Sequence, residues 1–134
     1  MMNSGTTIHP APGFPVRTAD GVTVAELSGD LDLASAPVLR ERLLRLLRPG
    51  ASRLVLDLSR VTFCDASGLA VLVGASHRAR VLEGFLRLAA VSPPAARVLQ
   101  ITGLHRHLSI YPTVHAATAA PVDGFGRAAA LAAA

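Results

Sequence analysis

Lysine is absent from this 134-residue chain, aromatics make up 4% of it, and there is a single cysteine. Each shortage excludes something. All 13 strong bases are arginines, and the formal net charge is +4. They are scattered (Arg17, Arg40, Arg42, Arg45, Arg48, Arg53, Arg60, Arg78 and Arg80 among them), with no dense basic block and no interleaved aromatics to stack on bases, which argues against nucleic-acid binding. With only Cys64, an internal disulfide is impossible, and a reducing compartment fits. No apolar run approaches the ~20 residues of a spanning helix. The opening MMNSGTTIHPAPGF lacks a basic start followed by an apolar stretch, so it does not read as a signal peptide. The expectation is a cytoplasmic protein without membrane insertion. Hydrophobic residues reach 51%, much of it alanine, so the core is aliphatic, and the length suits one domain.

What is present is organised around residues 53–82, RLVLDLSRVTFCDASGLAVLVGASHRARVL. Leu54, Val55, Leu56 and Leu58 form a branched apolar run that predicts a buried strand. Residues 59–66 read as a connection, and a helix opens at Ser67 or Gly68. Ser67 can cap that helix with its hydroxyl, and Gly68 permits the tight turn into it. Leu69, Leu72, Val73, Ser76 and Ala79 recur at spacings of three and four and mark the inward face. Ala70, Val71, Gly74 and Val81 fall on the opposite side, where His77 and Arg78 are the only polar residues. An outward face so short of charge reads as a protein-binding surface, unless another element of the domain covers it. Asp65 and Ser67 stand at the N-terminus of this helix, where unpaired N–H groups and the positive end of the dipole favour an anion such as phosphate.

Along the chain, residues 1–13 read as a disordered tail, 14–120 as the domain, and 121–134 as an alanine-rich tail, either disordered or a frayed helix. Residues 14–17 predict a short strand, Asp20-Gly21 a hairpin turn, and Val22, Val24 and Leu27 a second strand. Residues 28–32 read as a loop. Ser35 with Pro37 opens a helix whose apolar face is Leu39, Leu43, Leu46 and Leu47, and Pro49-Gly50 stops it. Residues 85–91 predict a strand. Ser92 caps a helix that begins at Pro93-Pro94, carries Ala95, Val98, Leu99 and Ile101, and ends at Gly103. Leu108, Ile110 and Tyr111 form a last strand, and residues 113–120 a final helix. The order β-β-α-β-α-β-α-β-α implies a single α/β domain: a mixed four- to five-stranded sheet, mostly parallel after the hairpin, with helices packed on it.

From about Val22 to Val114 the chain resembles a STAS domain of the bacterial anti-sigma factor antagonist type. Three segments carry the resemblance: Gly29-Asp30-Leu31-Asp32, the stretch LVLDLSRVTFCDASGLAVLVG, and Ala90-Val91-Ser92-Pro93-Pro94 running on to Thr102-Gly103-Leu104. The resemblance implies a domain without catalysis that binds an anti-sigma factor, usually a small kinase, and so frees a sigma factor for transcription. It also implies that the kinase switches the antagonist off by phosphorylating the hydroxyl residue directly after the turn aspartate. In this chain that position is Ala66, which cannot accept phosphate. Ser67, one residue on, is the remaining phosphorylation candidate. The expected partner-binding residues are Asp32, Asp65, Ala66, Ser67, Gly68, Ala70, Val71, Gly74 and Arg78. The alternative is a non-switching STAS subunit of a larger complex, such as a lipid ABC transporter, and Ala66 adds weight to it.

Two readings stand for several of these residues. Ser67 is either an N-cap or a phosphoacceptor and partner contact; Asp65 is either a turn residue bonding amides or a partner-facing group. Asp30 and Asp32 beside Asp65 suggest an acidic rim able to take a divalent ion, or simply solvated loop acids. Cys64 at the end of a buried strand reads as core, since no histidine is spaced to activate it. His105, His107 and His115 lack partner ligands at metal-site spacing, so neither a metal nor a cofactor is expected. No nucleophile–base–acid set or Gly-rich phosphate loop can be assembled, which disfavours an enzyme.

Overall fold

Short runs of leucine and β-branched residues alternate with glycine- and proline-punctuated turns, and strands and helices follow that alternation. The computed structural model describes residues 14–122. The tail expected at 1–13, and the alanine-rich end from residue 123, lie outside the described residues. The order is β1 Val16–Ala19, β2 Val22–Leu31, α1 Ala36–Leu46, β3 Arg53–Cys64, α2 Ala66–Val81, β4 Phe85–Ala89, α3 Pro93–Thr102, a short 3₁₀ turn Leu104–His107, β5 Ser109–Tyr111 and α4 Val114–Ala119. The strands form one five-stranded sheet in chain order, β1-β2-β3-β4-β5. Only β1 runs antiparallel to its neighbour. Asp20 and Gly21 both take positive φ, 54° and 78°, as the tight β1–β2 hairpin requires.

Side chains alternate across the sheet, and the two faces differ. Ala25, Leu27, Leu54, Leu56, Leu58, Leu86 and Leu88 face α1, α2 and α3 in the main core, where Leu39, Leu43, Leu69, Leu72, Ala95 and Leu99 meet them. Val22, Val24, Val55, Phe85, Ala89 and Tyr111 point the other way, into a smaller cluster closed by Ala117 of α4.

Both long strands outrun the sequence expectation. Residues 28–31 are strand rather than loop, and 59–64 are strand rather than connection, because the two stretches pair with each other: Ser28 with Arg60, Gly29 with Val61, Asp30 with Phe63, Leu31 with Cys64. Two register shifts accommodate the small and polar residues there. Residues 28–31 lack the apolar pattern of a strand, and Val61 and Phe63 give 59–64 only a short one; each stretch is held by the ladder the other supplies. The first strand is shifted two residues on from 14–17, and β4 stops at Ala89 because Ala90 turns with φ 52°. Ser92 stands at the N-cap of α3 but makes no capping bond. Ile101 is not on the inward face of α3; it is 77% exposed.

The largest fully buried side chain is one the apolar pattern passes over, Arg87 in β4. Its Nη1 donates to the carbonyls of Ala117 (2.7 Å) and Ala120 (2.9 Å), and Nη2 to that of Pro121 (3.1 Å). The guanidinium lies 3.7 Å from the Phe85 ring centroid. Burial draws its pKa below the usual arginine range; Tyr111 opposes that shift and Arg53 adds to it. Arg87 thereby collects carbonyls that α4 leaves unpaired at its end and fastens that helix to the sheet.

Candidate functional site

Because Leu31 pairs with Cys64, β2 and β3 end side by side and the turns that follow them meet. Asp65 joins the two. Its backbone N–H donates to the Leu31 carbonyl (3.0 Å), its Oδ1 accepts from Gly68 N–H (3.0 Å), and its Oδ2 accepts from Leu33 N–H (3.1 Å). The first carboxylate bond caps α2 and the second holds the β2–α1 turn. Asp65, not Ser67, is therefore the N-cap. Within the neighbouring turn, Asp32 Oδ1 accepts from Ser35 N–H and Ser35 Oγ accepts from Asp32 N–H, both at 3.0 Å. Asp30 Oδ1 accepts from the Thr62 hydroxyl (3.3 Å). Each acid of the expected rim is thus committed to local donors. Among the described residues, no group of three or more His, Cys, Asp or Glu could hold a metal ion.

Ala66 and Ser67 occupy the first turn of α2. Ala66 is exposed, and Ser67 is half-buried with its hydroxyl making no hydrogen bond among the described residues. Gly68 is buried, and a Cβ there would run into the Leu31 carbonyl. It serves close approach between α2 and β2, so it is not a surface contact, although it was expected among the partner-binding residues.

Farther along α2, Ala70, Gly74 and Arg78 are exposed and Val81 is 59% exposed. Val71 is half-buried against the main core, so the outward face is narrower than the sequence suggests. Ala75, outside the predicted inward set, is buried. The helix α1 runs alongside, and the two enclose an open groove of about 530 Å³ lined by Arg40 and Leu44 from α1 and by Ser67, Ala70, Val71, Gly74, Ala75 and Arg78 from α2. Five of the nine expected partner-binding residues therefore share one groove, Asp65 and Ala66 stand at its N-terminal end, and Asp32 lies in the adjoining turn. Sequence reasoning missed Arg40 and Leu44; their spacing of four puts both on one face of α1, but nothing in the chain says that α2 lies beside it. It also missed two apolar side chains near the paired strand ends, Leu33 (72% exposed) and Phe63 (52%).

Cys64 is buried with Sγ 3.8 Å from the Pro94 carbonyl oxygen. Burial, and then the charge of Asp65, push its thiol pKa up, which disfavours the thiolate form. His105 is engaged through Nδ1 with the Leu99 carbonyl (3.1 Å). The arrangement offers a capped helix end beside a shallow groove edged by arginine.

The STAS domain family model matches residues 14–117. The anti-sigma-B factor antagonist of Bacillus subtilis (strain 168) is 40% identical over 78 residues, 58% of this chain and 71% of that protein. The anti-sigma F factor antagonist of Paenibacillus polymyxa is 32% identical over 92 residues, 68% of this chain and 79% of that protein. Among solved structures, the crystal structure of an anti-sigma factor antagonist from Mycobacterium paratuberculosis aligns with a TM-score of 0.70 at 31% identity, covering 81% of this chain and 94% of the other.

Proposed function

The chain belongs to the STAS domain family, and on that premise we propose that it is an anti-sigma factor antagonist: it binds a kinase-like anti-sigma factor through the α2 N-terminus and the adjoining groove, and so frees a sigma factor for transcription. The observation that carries the proposal is the pair of hydrogen bonds that the Asp65 carboxylate accepts from Gly68 N–H and Leu33 N–H. It holds the α2 cap and the β2–α1 turn together, so that Ala66, Ser67 and the small and apolar residues of the outward α2 face, with Arg78 at their edge, adjoin one another. Relatives that share the domain are named as antagonists of anti-sigma factors, which supports the same role here.

The phospho-switch is altered. The exposed position after Asp65 is Ala66, which has no hydroxyl, and the remaining hydroxyl at Ser67 is half-buried. We infer a constitutive binder that its kinase does not turn off. The same alanine favours a second reading, a non-switching STAS subunit of a larger assembly such as a lipid ABC transporter. Affinity capture from the native host separates the two: an anti-sigma factor supports the first reading, an ATPase subunit the second. For the switch, the protein is incubated with the captured kinase and ATP and mapped by mass spectrometry. Wild type is expected to remain unmodified and Ala66→Ser to gain a phosphate. Stoichiometric phosphate on wild-type Ser67 with loss of binding would overturn the constitutive reading.

A further inference from the structure

The α1–α2 groove is edged by two guanidinium groups, Arg40 and Arg78, without counter-charges among the described residues. Among the described residues the ion pairs join Arg17 to Glu26 and Arg45 to Glu41, leaving Arg40 and Arg78 out. Both arginines are exposed, and no carboxylate lines the groove. Between them the floor is Leu44, Ala70, Val71 and Gly74, and a Cβ at Gly74 would meet nothing within 4 Å. Both walls are helices, so beyond the first turn of α2 their backbone N–H and C=O groups are already bonded within each helix. An extended peptide laid there would find no backbone partners, whereas a helix satisfies its own.

Resting on the partner-binding role proposed above, the geometry points to an acidic amphipathic helix of the partner protein as the occupant. Its small and apolar residues lie on the floor between α1 and α2, and its flanking carboxylates pair with Arg40 and Arg78, whose planar forks match a carboxylate in two-point geometry. Charges at the rim of such a contact act mainly on association rate and on the choice of partner. A basic helix is turned away by the same two arginines.

The test uses the full chain, ¹⁵N-labelled, titrated with three synthetic helical peptides of about 18 residues that share one leucine–alanine face and carry Glu, Gln or Lys along its flanks. The Glu peptide is expected to shift the amides of Leu44, Ala70, Val71 and Gly74 and to bind about tenfold tighter than the Gln peptide, with the Lys peptide weakest. In the Arg40→Gln/Arg78→Gln variant the Glu peptide is expected to lose that advantage while the melting curve stays unchanged, since both residues are exposed. Equal binding of the three peptides, shifts confined to other surfaces, or shifts at these amides with inorganic phosphate but not with the Glu peptide each overturn the assignment. The captured anti-sigma factor keeps this apart from the functional proposal. If it binds wild type and Arg40→Glu/Arg78→Glu equally, the function stands and the acidic helix is overturned. If only the double variant loses it, the assignment is supported. If wild type captures no anti-sigma factor, the function fails and the peptide titration alone decides the groove.

Discussion

At the residue scale, the sequence offers Ser67 as the cap of α2 and Asp65 as a turn residue, and the hydrogen bonds give the cap to Asp65. Asp65→Ala removes the cap on Gly68 N–H and the bond to Leu33 N–H together. The expected loss is about 2 kcal/mol in urea unfolding. Ser67→Ala removes a hydroxyl that bonds to nothing among the described residues, and its stability should stay within about 0.5 kcal/mol of wild type. Equal losses in the two variants would mean that Ser67 shares the capping after all. Asp30, Asp32 and Ser35 in one stretch and Asp65 and Ser67 in another can form several rival turns, and only the side-by-side ending of β2 and β3 selects among them.

At the element scale, α4 is too short to persist alone, with six residues against the ~12–15 that an isolated helix needs. It stays because Ala117 packs on the sheet and Arg87 gathers its terminal carbonyls. Arg87→Met keeps the apolar stem but orphans those carbonyls, and is expected to cost roughly 3 kcal/mol. Arg87→Lys should not restore it, because a compact ammonium lacks the planar, two-nitrogen fork that reaches these carbonyls while stacking on Phe85. Hydrogen exchange in both variants should rise first in α4; uniform exchange across the sheet would contradict the fastening role. The helix α2 gives the complementary prediction. Gly74→Arg projects into open space, replaces a poor helix former, and should fold normally while blocking partner capture. Val71→Glu is the inferior probe, because Val71 packs against the core and its loss of binding would be mixed with lost stability. Wild-type capture by Gly74→Arg would remove the groove from the interface.

At the scale of the whole molecule, Cys64 reports on global opening. It sits under Pro94 of α3 with its pKa raised by burial and by Asp65, so a thiol reagent should label it slowly in the folded protein and rapidly in urea. The linkage has a definite sign. The unfolded chain releases the thiol proton at a lower pH than the folded one, so this contribution to stability is whole below the unfolded thiol pKa and fades as pH rises from there through the folded pKa. Between about pH 7 and pH 10, wild type should lose more stability than Cys64→Ala. Parallel pH profiles for the two would contradict it.

The sequence by itself determined the element order, the Asp-Gly hairpin, the aliphatic core strands and the family, because these rest on local periodicity, turn chemistry and a motif of adjacent residues. It also exposed the missing hydroxyl at Ala66, which is a matter of identity rather than of shape. Only the tertiary structure decided that residues 28–31 and 59–64 are strands, since the polar first stretch and the mixed second become strand when each supplies the other's ladder. The buried arginine of β4 likewise depended on where α4 ends. So did the assembly of the candidate site: Leu31 beside Cys64 brings Leu33 to Asp65, and α1 beside α2 brings Arg40 to Arg78, from segments some thirty to forty residues apart in the chain. Distances of that kind are set by how the helices pack on one sheet, and no local pattern of residue types encodes them.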